Sequence, residues 1–299
     1  MVHPVLVAAG VMLFGVLAFD MMGVLVRMLG GSYPILQISV LRNMFGVLPA
    51  IFLLWRADAF ASLPAMMNRR MMLLTLIRSL AVVLAQFSFY TALTRIEFAT
   101  ATALAFCGPM FITALSIPVL GHHVGIWRWS AIIFGFVGVI TIMQPFEDGF
   151  VWFMALPVTA AFFYAVSSIL VRFFPPEVPS AAIQFNQQVL TCMIALAALL
   201  IFQQPVPVTS VNDGLLFVLV GIFGGTGVMC IVIAYRLADP SSVSPFEYFG
   251  IPISFCLGWL FFAEAPFSDL FPGILFIVSA GILIMLRERI TARRAADGG

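Results

Sequence analysis

The chain has 299 residues, of which 63% are hydrophobic and only 9% charged, and its mean hydropathy is +1.13. These values lie far outside the range of soluble globular proteins and exclude a water-soluble fold. The formal net charge of +1 gives no support for a nucleic-acid partner.

Taken in chain order, ten apolar stretches approach or exceed the roughly 20 helical residues needed to cross about 30 Å of hydrocarbon. They run over 5–28, 33–55, 71–93, 98–120, 127–144, 151–172, 180–203, 214–236, 242–263 and 269–287. The connections are too short for a soluble domain, and residues 288–299 remain as a tail. The first stretch follows Met1-Val2-His3-Pro4, lacks a basic flank and is too long for a signal-peptide core, so it is expected to stay as the first helix. The expected fold class is an all-α integral membrane protein with ten transmembrane helices in the lipid bilayer.

Arginine supplies all fourteen basic residues, so sidedness can be followed directly. With the N-terminus inside, ten of them fall on the cytoplasmic side: Arg56, Arg69, Arg70, Arg128, Arg172, Arg236, Arg287, Arg289, Arg293 and Arg294. Only Arg27 and Arg95 fall on the other. The positive-inside rule then places both termini in the cytoplasm, across a cytoplasmic (inner) membrane.

The chain repeats itself. At an offset of 145, Arg27 aligns with Arg172, Pro34 with Pro179 and Tyr90 with Tyr235; at 143, Pro109 aligns with Pro252 and Gly138 with Gly281. Residues 5–144 and 151–287 therefore read as two copies of five spans. Because five is odd, the copies enter the membrane in opposite senses. Inverted repeats of this kind hold substrate near the midplane, where the halves meet, and rock around it.

Several stretches carry a family resemblance. They are Arg78, Phe87-Ser88-Phe89-Tyr90-Thr91-Ala92-Leu93, the run from Ala99 to Pro109, Leu120-Gly121-His122-His123-Val124-Gly125, Arg128-Trp129 and Gly135-Phe136-Val137-Gly138-Val139. In these the chain resembles the EamA-type members of the drug/metabolite transporter superfamily over nearly its whole length. The resemblance implies a central cavity lined mainly by the first, third, fourth, sixth, eighth and ninth spans. It also marks a departure: His122 stands where the family usually has glutamate, and Glu264 occupies about the equivalent place in the second half.

Four charges lie well inside the spans, where charge usually faces a bundle interior or a watery cavity. At 1.5 Å per residue, Asp20 and Arg42 each lie about 12 Å from the outer ends of their spans. That depth allows them to pair and lock two helices, or to contact substrate or protons directly. Arg78 and Glu247 lie about 10 Å from the opposite face. Arg78 suits an anionic group on substrate, and Glu247, beside Tyr248 in a proline-containing span, suits a ligand or gating role. Gln86, Tyr164 and Ser167, with Gln184, Asn186, Gln187 and Gln188, need partners in lipid surroundings. Phe89 and Phe106 could stack on an aromatic substrate. Pro109 and Pro252 are expected to kink symmetry-related helices, and the glycines from Gly221 to Gly227 to permit close helix approach.

Other chemistries find little support. Cys107, Cys192, Cys230 and Cys256 lie in spans without C-x-x-C spacing and read as buried thiols, so neither a metal site nor a disulfide framework is indicated. The three histidines sit near span ends and form no H-E-x-x-H motif, and no nucleotide-binding G-x-x-x-x-G-K-[ST] sequence occurs. An enzyme is thus not expected, nor is a cofactor. A channel fits poorly with an inverted repeat and kinked helices. The expected function is secondary transport of a small organic metabolite by a monomer or homodimer, without ATP and with protons as a candidate coupling ion. An amino acid or related zwitterion or anion is the first substrate expectation; the alternative is a vitamin or nucleoside-like metabolite such as riboflavin or S-adenosylmethionine.

Overall fold

In hydrocarbon every backbone N–H and C=O must find a partner within the protein, and helices meet that demand segment by segment. The computed structural model describes residues 4–120, 126–144, 151–237, 243–264, 267–283 and 286. Its helices are α1 (Pro4–Leu29), α2 (Ile35–Arg56), α3 (Arg69–Leu93), α4 (Phe98–Ala105), α5 (Gly108–Leu120), α6 (Ile126–Met143), α7 (Ala155–Leu170), α8 (Ser180–Phe202) and α9 (Val211–Leu237). A 3₁₀ segment (Ser244–Phe249) leads into α10 (Gly250–Phe262), followed by α11 (Phe267–Leu270) and α12 (Gly273–Leu283). Among the described residues seven segments are long and apolar enough to cross a membrane, and three shorter apolar helices complete the ten. His122 and the tail 288–299 lie outside the described residues.

The fourth expected span is not one helix. It breaks at Phe106 and Cys107, between α4 and α5, and Pro109 sits in the first turn of α5 rather than inside a continuous helix. Pro252 occupies the matching place early in α10, just after the 3₁₀ segment. Proline is tolerated in a first turn because its missing N–H would have no helical partner there. The first half thus has a two-residue break before its proline, and the second a 3₁₀ segment that ends at Phe249.

Packing follows the repeat. The α1 helix lies along α9, and its counterpart α7 lies along α3; α2 packs against α8 and α9, and its counterpart α8 packs against α2 and α3. The side chain of Gln188 donates to the Asn43 side-chain oxygen at 3.1 Å, between residues 145 apart. That separation equals the repeat offset. Two equivalent residues can touch only where the pseudo-two-fold axis passes between them, so the axis runs through the α2–α8 contact. The pair is antiparallel: Gln37 at the start of α2 exchanges hydrogen bonds of 2.7 and 2.8 Å with the Val206 backbone just beyond the end of α8.

Glycines set how closely α9 approaches. A Cβ on Gly221 would strike Phe45, on Gly225 Pro49 and on Gly227 Phe19. Small residues that let backbones approach closely are the usual basis of helix association in lipid. Cys107 and Cys230 are buried, but Cys256 is exposed on α10, contrary to the expectation of four buried thiols.

One face of the bundle, where α1 ends, is closed. Leu25, Val26, Leu29, Tyr33, Leu93, Ile96 and Phe98 form a packed cluster there. Arg27 holds both carboxylate oxygens of Glu264 in an ion pair and stacks over Phe262 at 4.4 Å. Glu264 also accepts the Phe98 backbone N–H at 2.9 Å, satisfying a free donor at the start of α4. One carboxylate thus clasps α1, α4 and the end of α10. Burial, and then the neighbouring Glu264 carboxylate, push the Glu97 carboxyl above its ordinary range.

Candidate functional site

Between the halves lies a cavity of about 500 Å³, in the size range of roughly 300–1,000 Å³ usual for small-molecule sites. It reaches from Asp20 and Phe19 in the middle of α1 to Gln184 in the second turn of α8 and Glu247 in the 3₁₀ segment. Its long axis therefore runs from mid-bundle toward the face where α1 begins, away from the Arg27–Glu264 clasp. A side chamber of about 210 Å³ shares Phe89, Tyr164 and Glu247 with it and continues past Pro109 on α5.

The structure brings nine of the ten candidate site residues onto the main cavity wall: Asp20, Arg42, Arg78, Gln86, Phe89, Phe106, Tyr164, Ser167 and Glu247. The two depth levels read from sequence thus open into one chamber. Tyr248 is placed off it. Adjacent residues of a 3₁₀ helix diverge by about 120°, since it has three residues per turn, so Glu247 and Tyr248 point apart. The Tyr248 ring instead packs on Phe106, centroids 5.5 Å apart, and its hydroxyl abuts Gly281, where a Cβ would collide with it.

Of the two alternatives for Asp20 and Arg42, the ion pair does not form among the described residues. Both side chains are buried, but Asp20 Oδ2 has no hydrogen-bond partner among the described residues. The Arg42 guanidinium turns to amides, donating from Nη1 to Asn43 at 2.9 Å and to Gln188 at 3.4 Å. Shared depth left open which way each side chain points around its helix. Gly224 on α9 makes room for the guanidinium, since a Cβ there would lie 2.8 Å from Arg42 Nε.

Sequence reasoning missed Phe19 and Thr191 on the cavity wall, and behind it Asn43 and Ser39. The Asn43 amide donates to Gln86 at 2.9 Å and to the Ser39 carbonyl at 2.7 Å, while Ser39 donates to Gln86 at 2.5 Å. With Gln188 and Arg42 these side chains form one polar network joining α2, α3 and α8. A serine and an asparagine four apart share a helix face, and in an otherwise apolar span that spacing was a readable signal.

A second cluster is built on Ser167 of α7. Arg78 donates from Nε to the Ser167 carbonyl at 2.9 Å, and Gln187 donates to the Ser167 hydroxyl at 3.3 Å. Ser79 fixes the α8 backbone by donating to the Gln187 carbonyl at 3.2 Å. Arg78 also lies 5.7 Å from the Phe174 ring centroid, a cation–π distance. The end of α7 and the turn after it therefore hold this arginine in the wall. Among the described residues no cluster of His, Cys, Asp and Glu could hold a metal ion.

Phe19, Phe89 and Phe106 add flat apolar surface to the same cavity wall. The chamber combines aromatic surface with donors and acceptors on symmetry-related helices.

Known proteins resemble the chain at several levels. The model of the EamA-like transporter family matches residues 6–144 and again 151–286. A riboflavin transporter of Rhizobium johnstonii is 34% identical over 200 residues, which cover 66% of this chain and 64% of that protein. An S-adenosylmethionine uptake transporter of Rickettsia prowazekii is 25% identical over 214 residues, 71% of each chain. A pseudopaline exporter of Pseudomonas aeruginosa is 26% identical over 267 residues, covering 89% of this chain and 91% of the exporter. A crystal structure of 17% identity matches with a TM-score of 0.65 over 95% of this chain and 98% of its own, a likeness of fold alone.

Proposed function

This chain belongs to the EamA-like transporter family, and we propose that within it the protein carries a heteroaromatic metabolite of the flavin or nucleoside-like kind. It is a multi-pass membrane transporter of a small molecule, not an enzyme. Two of the relatives above, named for riboflavin and S-adenosylmethionine, favour the vitamin or nucleoside-like alternative over the amino acid first expected.

The observation that carries this reading is the chamber itself. A volume of about 500 Å³ far exceeds what a simple amino acid fills, and three phenylalanines line it together with amides and arginines. A flat ring system bearing polar groups satisfies both walls at once. Phe89 and Phe106 would stack on the ring, while Arg42, Arg78, Gln86, Tyr164, Ser167 and Glu247 would meet its polar edges.

In this reading residues 5–144 and 151–287 rock against each other about the α2–α8 axis, in a cytoplasmic membrane with both termini inside. The state described is inward-facing, closed outside by the Arg27–Glu264 clasp. Asp20 takes up a proton as part of the cycle. Thermal unfolding of the purified protein tests the substrate class, because a ligand at a hundredfold excess over its Kd stabilises by about 2.7 kcal/mol. Riboflavin or S-adenosylmethionine should raise the Tm in a saturable way. A shift with free amino acids and none with either of these would overturn the proposal.

A further inference from the structure

The side chamber next to Pro109 differs in character from the cavity it adjoins. Phe89, Ala105, Tyr164, Ser168 and Glu247 line both spaces, so their junction carries a phenol, a hydroxyl and a carboxylate. The six residues that line the chamber but not the cavity are all apolar: Gly108, Pro109, Ile112, Ala160, Ala161 and Ala165. A molecule that spans the junction therefore meets polar groups on one side and only apolar surface on the other.

Two features leave this space open. The fourth span breaks just before Gly108, and a Cβ built on Gly108 would meet no atom within 4 Å. On α7, Ala160, Ala161, Tyr164, Ala165 and Ser168 recur at the spacing of one helix face, and three of these five are alanines. The matching place in the first half is filled. Val16 is the counterpart of Ala161 at the 145 offset, and Gly250 is the counterpart of Cys107 at the 143 offset. A Cβ on Gly250 would stand 2.9 Å from Phe106 and 3.1 Å from Val16. Valine thus packs against the start of α10, whereas alanine lines a chamber at the start of α5. The chamber is an addition to one side of a symmetric scaffold.

We propose that this chamber is a substrate subsite that takes the apolar rim of a fused ring system whose polar edge lies in the main cavity, with Gly108 and Ala161 setting the selectivity. This inference rests on the heteroaromatic class proposed above and narrows it. An apolar cavity of about 150 Å³ takes up benzene, so a chamber of about 210 Å³ has room for a benzene ring that carries methyl groups. A flavin matches the two spaces, since one end of its ring system is a polar pyrimidine-type edge and the other a benzene ring with two methyl groups. Adenine has no apolar rim of that size. Phe89, which lines both spaces, offers its ring to the part of the solute that crosses the junction.

The test is competition for uptake of labelled riboflavin into proteoliposomes, with two unlabelled competitors: riboflavin, and riboflavin lacking both ring methyl groups. The wild type should prefer the methylated form by about tenfold or more, because even one methylene in an apolar pocket is worth about that much. Ala161→Val copies the residue at the equivalent place in α1 and should cut the preference to about twofold. Gly108→Leu starts its side chain in open space and should reverse the order of the two competitors. Equal competition by the two flavins in the wild type overturns the inference alone. So does an undiminished preference in both variants, the result expected if a lipid chain occupies the chamber instead. A variant that inserts but loses both flavins alike also counts against it. Uptake of S-adenosylmethionine without riboflavin overturns the inference and leaves the heteroaromatic class standing, whereas failure of both solutes to enter overturns the two together.

Discussion

Replacing Asn43 with leucine isolates the polar network on the symmetry axis. Leucine is close to asparagine in size but can make none of its bonds. The substitution removes the 2.9 and 3.4 Å bonds exchanged with Gln86 and the 3.1 Å bond from Gln188; at roughly 0.6 kcal/mol for each interhelical bond in lipid, the loss is about 2 kcal/mol. Gln188 keeps a 3.1 Å bond to the Asn43 backbone carbonyl and Gln86 Oε1 keeps its bond from Ser39, while Gln86 Nε2 loses its 3.4 Å bond to Asn43. Arg42 is affected more, for Nη1 retains only the 3.4 Å contact to Gln188. The protein should insert and melt within a few degrees of wild type, whereas the KM for substrate should rise about tenfold, as expected when a hydrogen-bonded charged group loses its fixed position. The turnover rate should change less. Initial uptake rates across a substrate series, beside a melting curve of the purified variant, separate the two effects. An unchanged KM in a well-folded Asn43→Leu protein would refute the view that this network aims Arg42 into the cavity.

Other perturbations have distinct signatures. Gly224→Ala places a methyl group against Arg42 Nε and should cost about 1–3 kcal/mol by overpacking, seen as a lowered Tm together with a raised KM. Glu264→Ala should disturb the closed face more than Arg27→Ala, because Glu264 also holds the Phe98 amide; hydrogen exchange at that amide should quicken in the first variant and change little in the second. Asp20→Asn should abolish the pH dependence of transport, which is read from uptake at a series of external pH values, and an unaltered profile would return Asp20 to a structural role.

Much of the architecture was legible because lipid imposes one-dimensional rules. Ten apolar runs, a fixed rise per residue and an odd number of spans per repeat lead to an inverted bundle without reference to side-chain contacts. The candidate site was legible as far as depth carries it: Arg42 and Arg78 stand out as charges in apolar helices, and both reach the chamber. What sequence lacks is rotation about each helix axis. Asp20 and Arg42 share a depth, yet Arg42 turns to Asn43 and Gln188. Glu247 and Tyr248 are neighbours, yet only Glu247 faces the cavity. Asn43 escaped notice because an uncharged amide beside an arginine draws less attention than the arginine, although it makes more bonds than any other member of its network. The prolines were readable as special positions, but each sits in a first turn, where its missing N–H has no helical partner to lose, and the break in the fourth span falls at Phe106 and Cys107.

The most direct measurement is counterflow in proteoliposomes that hold the purified protein and are loaded with unlabelled solute. Labelled riboflavin and S-adenosylmethionine are offered outside, with a panel of amino acids in parallel. Transport by alternating access predicts transient, saturable accumulation of one of the two heteroaromatic solutes, lost in Arg78→Ala vesicles that contain the same amount of inserted protein. Accumulation of amino acids alone would contradict the substrate class, and flux that rises in proportion to concentration without saturating would contradict the transport mechanism.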